Sequence, residues 1–158
     1  MKNQKGFSLV ELLVVVIILA IIAAIAIPSL LASRRAANEA AAVTSLRTLH
    51  SAQAAYQAIH LQTYASALTT LGPSGDALID AALAGGTKNS YTFAMSTNTS
   101  APADTFYCAT ATPAAGSGGV RIYGVDRTGG ILQSTATGTS APTCALGVLT
   151  ANGATAIQ

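Results

Sequence analysis

The chain has 158 residues, enough for one domain and an appended segment. Apolar residues make up 51% and charged residues only 9%, which is low for an ordinary soluble domain. The formal net charge is +2, and without Lys2 and Lys5 the basic and acidic side chains balance at six each. This balance argues against a dedicated nucleic-acid-binding protein and leaves room only for a weak, local DNA contact.

An apolar helix is predicted near the N-terminus. Sixteen apolar residues run without interruption from Leu12 to Ile27, and the apolar segment as a whole covers residues 7–32. At ~1.5 Å per helical residue it can cross a hydrocarbon layer of ~30 Å. The lysines ahead of it favour a cytoplasmic N-terminus. A discarded secretory signal peptide is the alternative, but the segment exceeds the ~7–15 apolar residues of such peptides.

Glu11 distinguishes this segment from a plain membrane anchor. A carboxylate inside a spanning helix costs ~2.5–3.5 kcal/mol at the bilayer centre, so it usually marks a functional position. If the chain is cut between Gly6 and Phe7, a new α-amino group appears four residues from Glu11. When such helices pack together, Glu11 should pair with the Phe7 ammonium of a neighbour, since an unpaired buried charge is costly. The pattern therefore predicts assembly through the helix.

Pro28 lies inside the predicted helix and is expected to bend or locally break it. The helical pattern then continues from Ser33 to about Gln62. Its apolar stripe consists of Val43, Leu46, Leu49, Tyr56 and Ile59. Its polar complement consists of Arg34, Arg35, Glu39 and Arg47.

The remainder of the chain predicts a small antiparallel sheet that covers the apolar stripe. Before the sheet, a short helix is expected over Asp76–Leu83, with Asp76 at its start and Asp80 in solvent. The expected strands are Tyr91–Met95, Thr105–Ala109, Val120–Val125 and Ile131–Gln133, the last two joined by a hairpin loop at 126–130.

Two cysteines, Cys108 and Cys144, lie in the C-terminal third. An even number in a chain that enters a membrane indicates a disulfide formed outside the cytoplasm, and two buried free thiols are the alternative. No metal is expected, because His50 and His60 are far from both cysteines in sequence and are expected to pack or lie at the surface.

The residues from Lys5 to Leu13 closely resemble the N-terminus of type IV pilins and pseudopilins. The resemblance implies that a membrane prepilin peptidase cuts after Gly6 and methylates the amine of Phe7. It also implies an assembly role for Glu11. Pro28 matches a family proline, and Ala20 stands where many members carry glycine. Local melting of the helix between Ala20 and Pro28 during assembly is the corresponding expectation.

The fold class implied is α+β, a pilin fold with a long N-terminal helix against an antiparallel sheet. We expect a leader at 1–6, a transmembrane and filament-core segment at 7–32, and a globular head at 33–158. The precursor would span the inner membrane, contact lipid there, and pass through an assembly platform into a homo-oligomeric extracellular pilus. Adhesion, twitching motility or DNA uptake would be the work of the filament.

No enzyme motif and no cofactor-binding motif is found in the sequence. Two alternatives stay open. A pseudopilin of type II secretion shares this N-terminus, but its family typically has a calcium site in the C-terminal loops, where this chain has no acidic residue after Asp126. A minor DNA-binding pilin would need a basic patch, and Lys88, Arg121 and Arg127 are the candidates in the head.

Overall fold

The computed structural model describes residues 8–98, 105–115, 119–135 and 142–157. The chain divides into two compact units, Met1–Arg34 and Arg35–Gln158. Helix α1, Leu9–Ile59, contributes residues to both. The predicted division into leader, core segment and head stays a prediction.

The start of α1 is fixed by Ser8. Its carbonyl accepts a hydrogen bond from the Leu12 N–H at 3.2 Å, and its own N–H donates to the Glu11 carboxylate at 3.4 Å. A serine followed three residues later by glutamate is the spacing of a capping box, which satisfies amides that a helix start leaves unpaired. By length and composition α1 could cross a membrane, since its most apolar window has a mean hydropathy of 3.3. Pro28 lies within α1, and helix is present on both sides of it.

The second unit contains a six-stranded antiparallel sheet in the order β1-β2-β3-β4-β5-β8. Its strands are β1 Thr87–Lys88, β2 Tyr91–Thr97, β3 Tyr107–Pro113, β4 Arg121–Asp126, β5 Ile131–Thr135 and β8 Thr155–Ile157. A separate hairpin pairs β6 Thr143–Ala145 with β7 Val148–Thr150. Two single-turn helices, α2 Leu68–Leu71 and α3 Ala81–Ala84, precede the sheet.

The core of this unit lies between the later part of α1 and one face of the sheet. Leu46 and Leu49 are fully buried, and each contributes roughly 1.5–3 kcal/mol by leaving water. The sheet residues packed into the same core are Tyr91, Phe93, Ala109, Ala111, Tyr123, Val125 and Ile131. Their alternation along the strands follows the two-residue period of a sheet that buries one face. The predicted α+β pilin fold is confirmed.

The opposite face of the sheet carries the β6–β7 hairpin. A Cβ atom built on Gly124 would lie 2.7 Å from Leu149 Cδ1 and 3.2 Å from Pro142 Cβ, so this position accepts only glycine without local movement. Cys108 also points to this face, because it alternates with the core residues of β3. The hairpin therefore covers the middle of the sheet on the side away from α1.

Four details differ from the sequence-based expectation. The helix expected over Asp76–Leu83 is only Ala81–Ala84, because the amides of 76–79 bond instead to carbonyls of Thr70, Leu71 and Gly72. Asp80, not Asp76, begins it: its carboxylate accepts from the Leu83 N–H at 2.9 Å. Ile59 is 65% exposed rather than part of the stripe, since the buried face of α1 passes through Ala52 and Gln53. The strands β1, β6, β7 and β8 were not predicted.

Candidate functional site

The N-terminal site is centred on Glu11. Gly6 and Phe7, the predicted cleavage and methylation positions, lie outside the described residues. Glu11 is exposed in the first turn of α1, where the helix dipole favours a negative charge. Among the described residues, only the Ser8 N–H donates to its carboxylate, at 3.4 Å, and no cation forms an ion pair with it. The carboxylate therefore keeps acceptor positions for a group from another molecule.

A continuous apolar surface surrounds this carboxylate. Every described side chain from residue 8 to residue 34 is exposed. The large aliphatic side chains of this unit have exposures between 46% at Leu31 and 81% at Leu9. A monomeric soluble protein rarely exposes apolar surface on this scale, so the first unit requires lipid or protein around it.

Ala20 and Pro28 lie within this same stretch of α1, which is helical in the single subunit. Pro28 cannot donate the backbone hydrogen bond that a helix interior normally uses. The turn of α1 that precedes Pro28 therefore lacks one backbone hydrogen bond. Melting between Ala20 and Pro28 concerns the assembled state and stays a prediction.

This chain is similar to known proteins, both in the N-terminal site and over a longer part of its length. Residues 1–27 match the family model for the prokaryotic N-terminal methylation motif. The chain is also 41% identical, over 95 residues, to the type IV wide pilus major component PilA4 of Thermus thermophilus. That alignment covers 58% of this chain and 72% of the relative. The chain belongs to the type IV pilin family. The resemblance seen in the sequence is thereby confirmed.

A second group of polar residues in this pilin lies around Glu39. Glu39 is on α1 but buried, with a relative exposure of 9%. Its carboxylate accepts from the Val120 N–H at 2.9 Å, from Arg121 Nη1 at 3.0 Å and from the Tyr123 hydroxyl at 3.3 Å. The prediction that Glu39 belongs to the solvated face of the helix is therefore wrong. Spacing held a usable signal, because Glu39 precedes Ala42, Leu46 and Leu49 at intervals of three and four.

Residues of the sheet and of the loop before β4 pack closely around Glu39. The Tyr91 hydroxyl donates to the Arg121 carbonyl at 2.9 Å. A Cβ atom built on Gly119 would lie 2.4 Å from the Tyr91 hydroxyl and 2.7 Å from Glu39 Cγ. The hydrogen bond that Arg121 donates to the Tyr123 hydroxyl and the charge of Glu39 raise the pKa of Arg121 above its usual range. The hydrogen bonds to Glu39 thus hold the start of β4 against α1.

Both histidines of the pilin have structural partners, as the sequence predicts. His50 Nδ1 lies 2.6 Å from the Tyr107 hydroxyl, and His60 Nε2 lies 2.7 Å from the Asp76 carboxylate while its ring stacks on Tyr56 at 4.0 Å. Asp126 accepts from the Thr128 N–H at 2.9 Å, which is the role of a turn residue. In the part of the chain that the structure describes, no three His, Cys, Asp or Glu side chains are arranged to hold a metal.

Cys108 and Cys144 form a disulfide with an S–S distance of 2.01 Å, in agreement with the prediction. The bond joins β3, in the middle of the sheet, to β6. Cys108 is completely buried. The disulfide therefore holds the β6–β7 hairpin against the outer face of the sheet.

Proposed function

We propose that this pilin is the structural subunit of an extracellular type IV pilus, assembled from an inner-membrane precursor through its N-terminal helix. The observation that supports this proposal most is the surface of the first unit. It exposes an unbroken apolar surface with one carboxylate, Glu11, near its start. Such a surface suits first a bilayer and then a bundle of like helices, and it suits no soluble monomer.

The precursor is proposed to sit with its N-terminus in the cytoplasm. A prepilin peptidase removes residues 1–6 and methylates the amine of Phe7, as the family's motif implies. Residues 7–32 then leave the lipid for the filament core with the help of an assembly platform, and residues 33–158 remain as the head. No catalytic step is assigned to the pilin.

Glu11 is proposed to select the position of each incoming subunit. In the filament core its carboxylate would be desolvated, and its bond to Ser8 is too long to compensate for that loss. The ammonium of Phe7 on a neighbouring subunit supplies the missing charge. One such pair per contact fixes the axial register, whereas the aliphatic side chains attract without direction.

A DNA-binding role has little support in the head. Each of its three candidate basic residues is already engaged by a neighbour. Arg121 binds Glu39, Lys88 binds Asp80, and the guanidinium of Arg127 lies 4.2 Å from the centre of the Phe106 ring. The similarity to a major component of a pilus likewise favours a pilus subunit over a pseudopilin.

The experiment that tests this proposal is electron microscopy of filaments sheared from cells, with N-terminal sequencing of their subunit. We expect abundant filaments whose subunit begins at an N-methylated Phe7. A strain lacking the gene is the control and should lose these filaments. A protein exported as a free monomer with residues 7–32 removed would contradict the proposal.

A further inference from the structure

Two adjacent arginines, Arg34 and Arg35, follow the apolar part of α1. The first unit ends at Arg34, and both side chains are exposed. Leu30 and Leu31, just before them, are 55% and 46% exposed, so the helix surface changes from aliphatic to cationic over about one turn. Such a change is expected where a helix passes from hydrocarbon into the headgroup layer, because arginine keeps its guanidinium group in polar surroundings.

Neither arginine has an anionic partner in the described part of the chain. None of the ion pairs found there includes Arg34 or Arg35. Glu39 follows Arg35 by four residues, a spacing at which opposite charges on a helix can meet. Its carboxylate is instead buried and bound to Arg121. The charge of the two arginines is therefore left for another molecule.

The remaining described carboxylates are committed elsewhere. Those that already bind groups of their own subunit are Asp76, Asp80 and Asp126, which contact His60, Lys88 and Thr128 respectively. Glu11 is assigned above to the Phe7 ammonium of a neighbouring subunit. A second copy of the described residues therefore offers no carboxylate to Arg34 and Arg35, which favours an anion from outside the protein.

The separation of Glu11 and Arg34 along α1 matches the thickness of a membrane. Residues 12–33 carry no charge. The rise from Glu11 to Arg34 is about 35 Å for a helix that rises ~1.5 Å per residue. The hydrocarbon layer of a bilayer is ~30 Å thick and lies between two headgroup layers. Both charged side chains can therefore reach headgroups at once, on opposite sides of the membrane.

The orientation of the precursor does not explain arginines at this position. Lysine and arginine favour the cytoplasmic side of a membrane, and Lys2 and Lys5 already supply that bias. Two arginines at the opposite end of the apolar segment act against it. Once residues 1–6 are removed, the arginines outnumber the basic charge left at the N-terminal end, which is the single ammonium of Phe7. A role other than orientation is required to account for them.

We propose that Arg34 and Arg35 bind the phosphate groups of anionic phospholipids at the outer face of the inner membrane, an inference that deepens the function proposed above and rests on it. A guanidinium group binds phosphate through two parallel hydrogen bonds, a geometry that an ammonium group does not match. Two adjacent cations also favour a headgroup with net negative charge, such as phosphatidylglycerol, over the zwitterionic phosphatidylcholine.

This contact holds the waiting subunit at one depth in the bilayer. With the arginines bound at the outer face, Glu11 lies at the opposite face rather than in hydrocarbon, where its charge would be costly. Extraction into the filament breaks the contact, since residues 7–32 then leave the lipid. Binding of phospholipid therefore retains the mature subunit until the assembly platform acts on it.

The test measures binding of lipid to the full-length subunit in detergent by native mass spectrometry. Phosphatidylglycerol and phosphatidylcholine with the same acyl chains are titrated separately. The wild type should bind phosphatidylglycerol more tightly by about fivefold for each arginine, or roughly 25-fold in all. Arg34→Gln combined with Arg35→Gln should remove this preference. Arg34→Lys combined with Arg35→Lys should keep part of it, because the charge remains and the paired hydrogen bonds are lost.

Arg47→Gln is the matched control. Arg47 is also exposed on α1 and also forms no ion pair with a described residue. It lies about 20 Å further along the helix than Arg34, beyond the reach of a headgroup. This variant should keep the full preference for phosphatidylglycerol. Because all three arginines are exposed, each variant should melt in detergent at the temperature of the wild type.

Two results would overturn the inference. One is equal affinity of the wild type for the two lipids. The other is a preference that the change of Arg34 and Arg35 to glutamine leaves intact, or that Arg47→Gln removes to the same extent. Either result would leave the filament proposal standing, because the binding is measured on isolated subunits. A subunit that stays soluble and monomeric without detergent or lipid would instead contradict the proposed function.

Discussion

Glu39 and Arg121, separated by 82 residues in sequence, meet with Oε2 and Nη1 3.0 Å apart. The glutamate side chain is 11% exposed and the arginine side chain 48%. The pair is therefore a buried carboxylate reached by a cation from the surface. Because the Val120 N–H and the Tyr123 hydroxyl bind the same carboxylate, Glu39 is the common acceptor that joins α1 to β4.

Replacing Glu39 by alanine should lower the free energy of unfolding by about 1–3 kcal/mol, since it leaves the buried Tyr123 hydroxyl and the Val120 N–H without their acceptor. Glu39→Gln should cost less, because the amide oxygen still accepts one bond. Urea unfolding of the full-length subunit in detergent measures both. Arg47→Gln is the control: Arg47 is exposed and forms no ion pair with any described residue, so a change within about 0.5 kcal/mol is expected. Equal effects at residues 39 and 47 would contradict the assignment.

The head should lose stability in alkali. Burial is the largest cause that raises the pKa of Tyr91, Tyr107 and Tyr123 above the ordinary value of 10.0. A pKa raised by folding contributes stability that is complete below the unfolded value and is lost as pH rises toward the folded value. Melting temperatures should therefore be insensitive to these groups below about pH 10 and fall above it. A subunit equally stable at about pH 8 and pH 12 would contradict this account.

Removing the disulfide should destabilise the subunit by roughly 3–4 kcal/mol, the loop-closure estimate for a loop of this length. The variant carries Cys108→Ser and Cys144→Ser together, so that no single thiol remains. Thermal unfolding with and without reductant measures the loss. Reductant should lower the melting temperature of the wild type toward that of the variant and leave the variant itself unchanged. A wild type that is indifferent to complete reduction would show that the bond adds nothing.

Replacing Gly6 by a bulky residue such as leucine should leave the precursor uncut in the membrane. The resemblance implies that the peptidase tolerates little bulk at this position. Immunoblotting of membrane fractions would then show a subunit longer by the leader of residues 1–6. Gly6→Ala, a small change, is the matched control and should be processed further than Gly6→Leu. A normal amount of mature subunit from the leucine variant would count against processing at this site.

Glu11→Val should permit processing but reduce assembly. Valine keeps the apolar surface and removes the charge that pairs with the Phe7 ammonium of a neighbour. Mature subunit should therefore accumulate in the membrane while few filaments appear by electron microscopy. Val14→Ile, a conservative change on the same exposed stretch, should assemble normally. Abundant normal filaments from the valine variant would refute the pairing.

The sequence by itself determined the features that depend on neighbours along the chain. The unbroken apolar run identified the helix that could span a membrane, and the residues from Lys5 to Leu13 identified the family. Alternation of apolar residues located four strands of the sheet, although their ends moved by a few residues. An even number of cysteines in a chain that enters a membrane predicted their bond, with two free thiols as the alternative, and the structure contains the bond. Local periodicity carries this information because it reports which face of an element is buried.

Only the tertiary structure decided which polar residues are buried and what they contact. Glu39 follows the spacing of the buried face of α1, but only the tertiary structure showed which donors complete its hydrogen bonds, from 81 to 84 residues away. Asp76 and Asp80 exchanged their expected roles because the backbone of 76–79 bonds to residues 70–72 instead of forming a helix. Partners distant in sequence set these outcomes, because a buried polar group is stable only where its hydrogen bonds are completed.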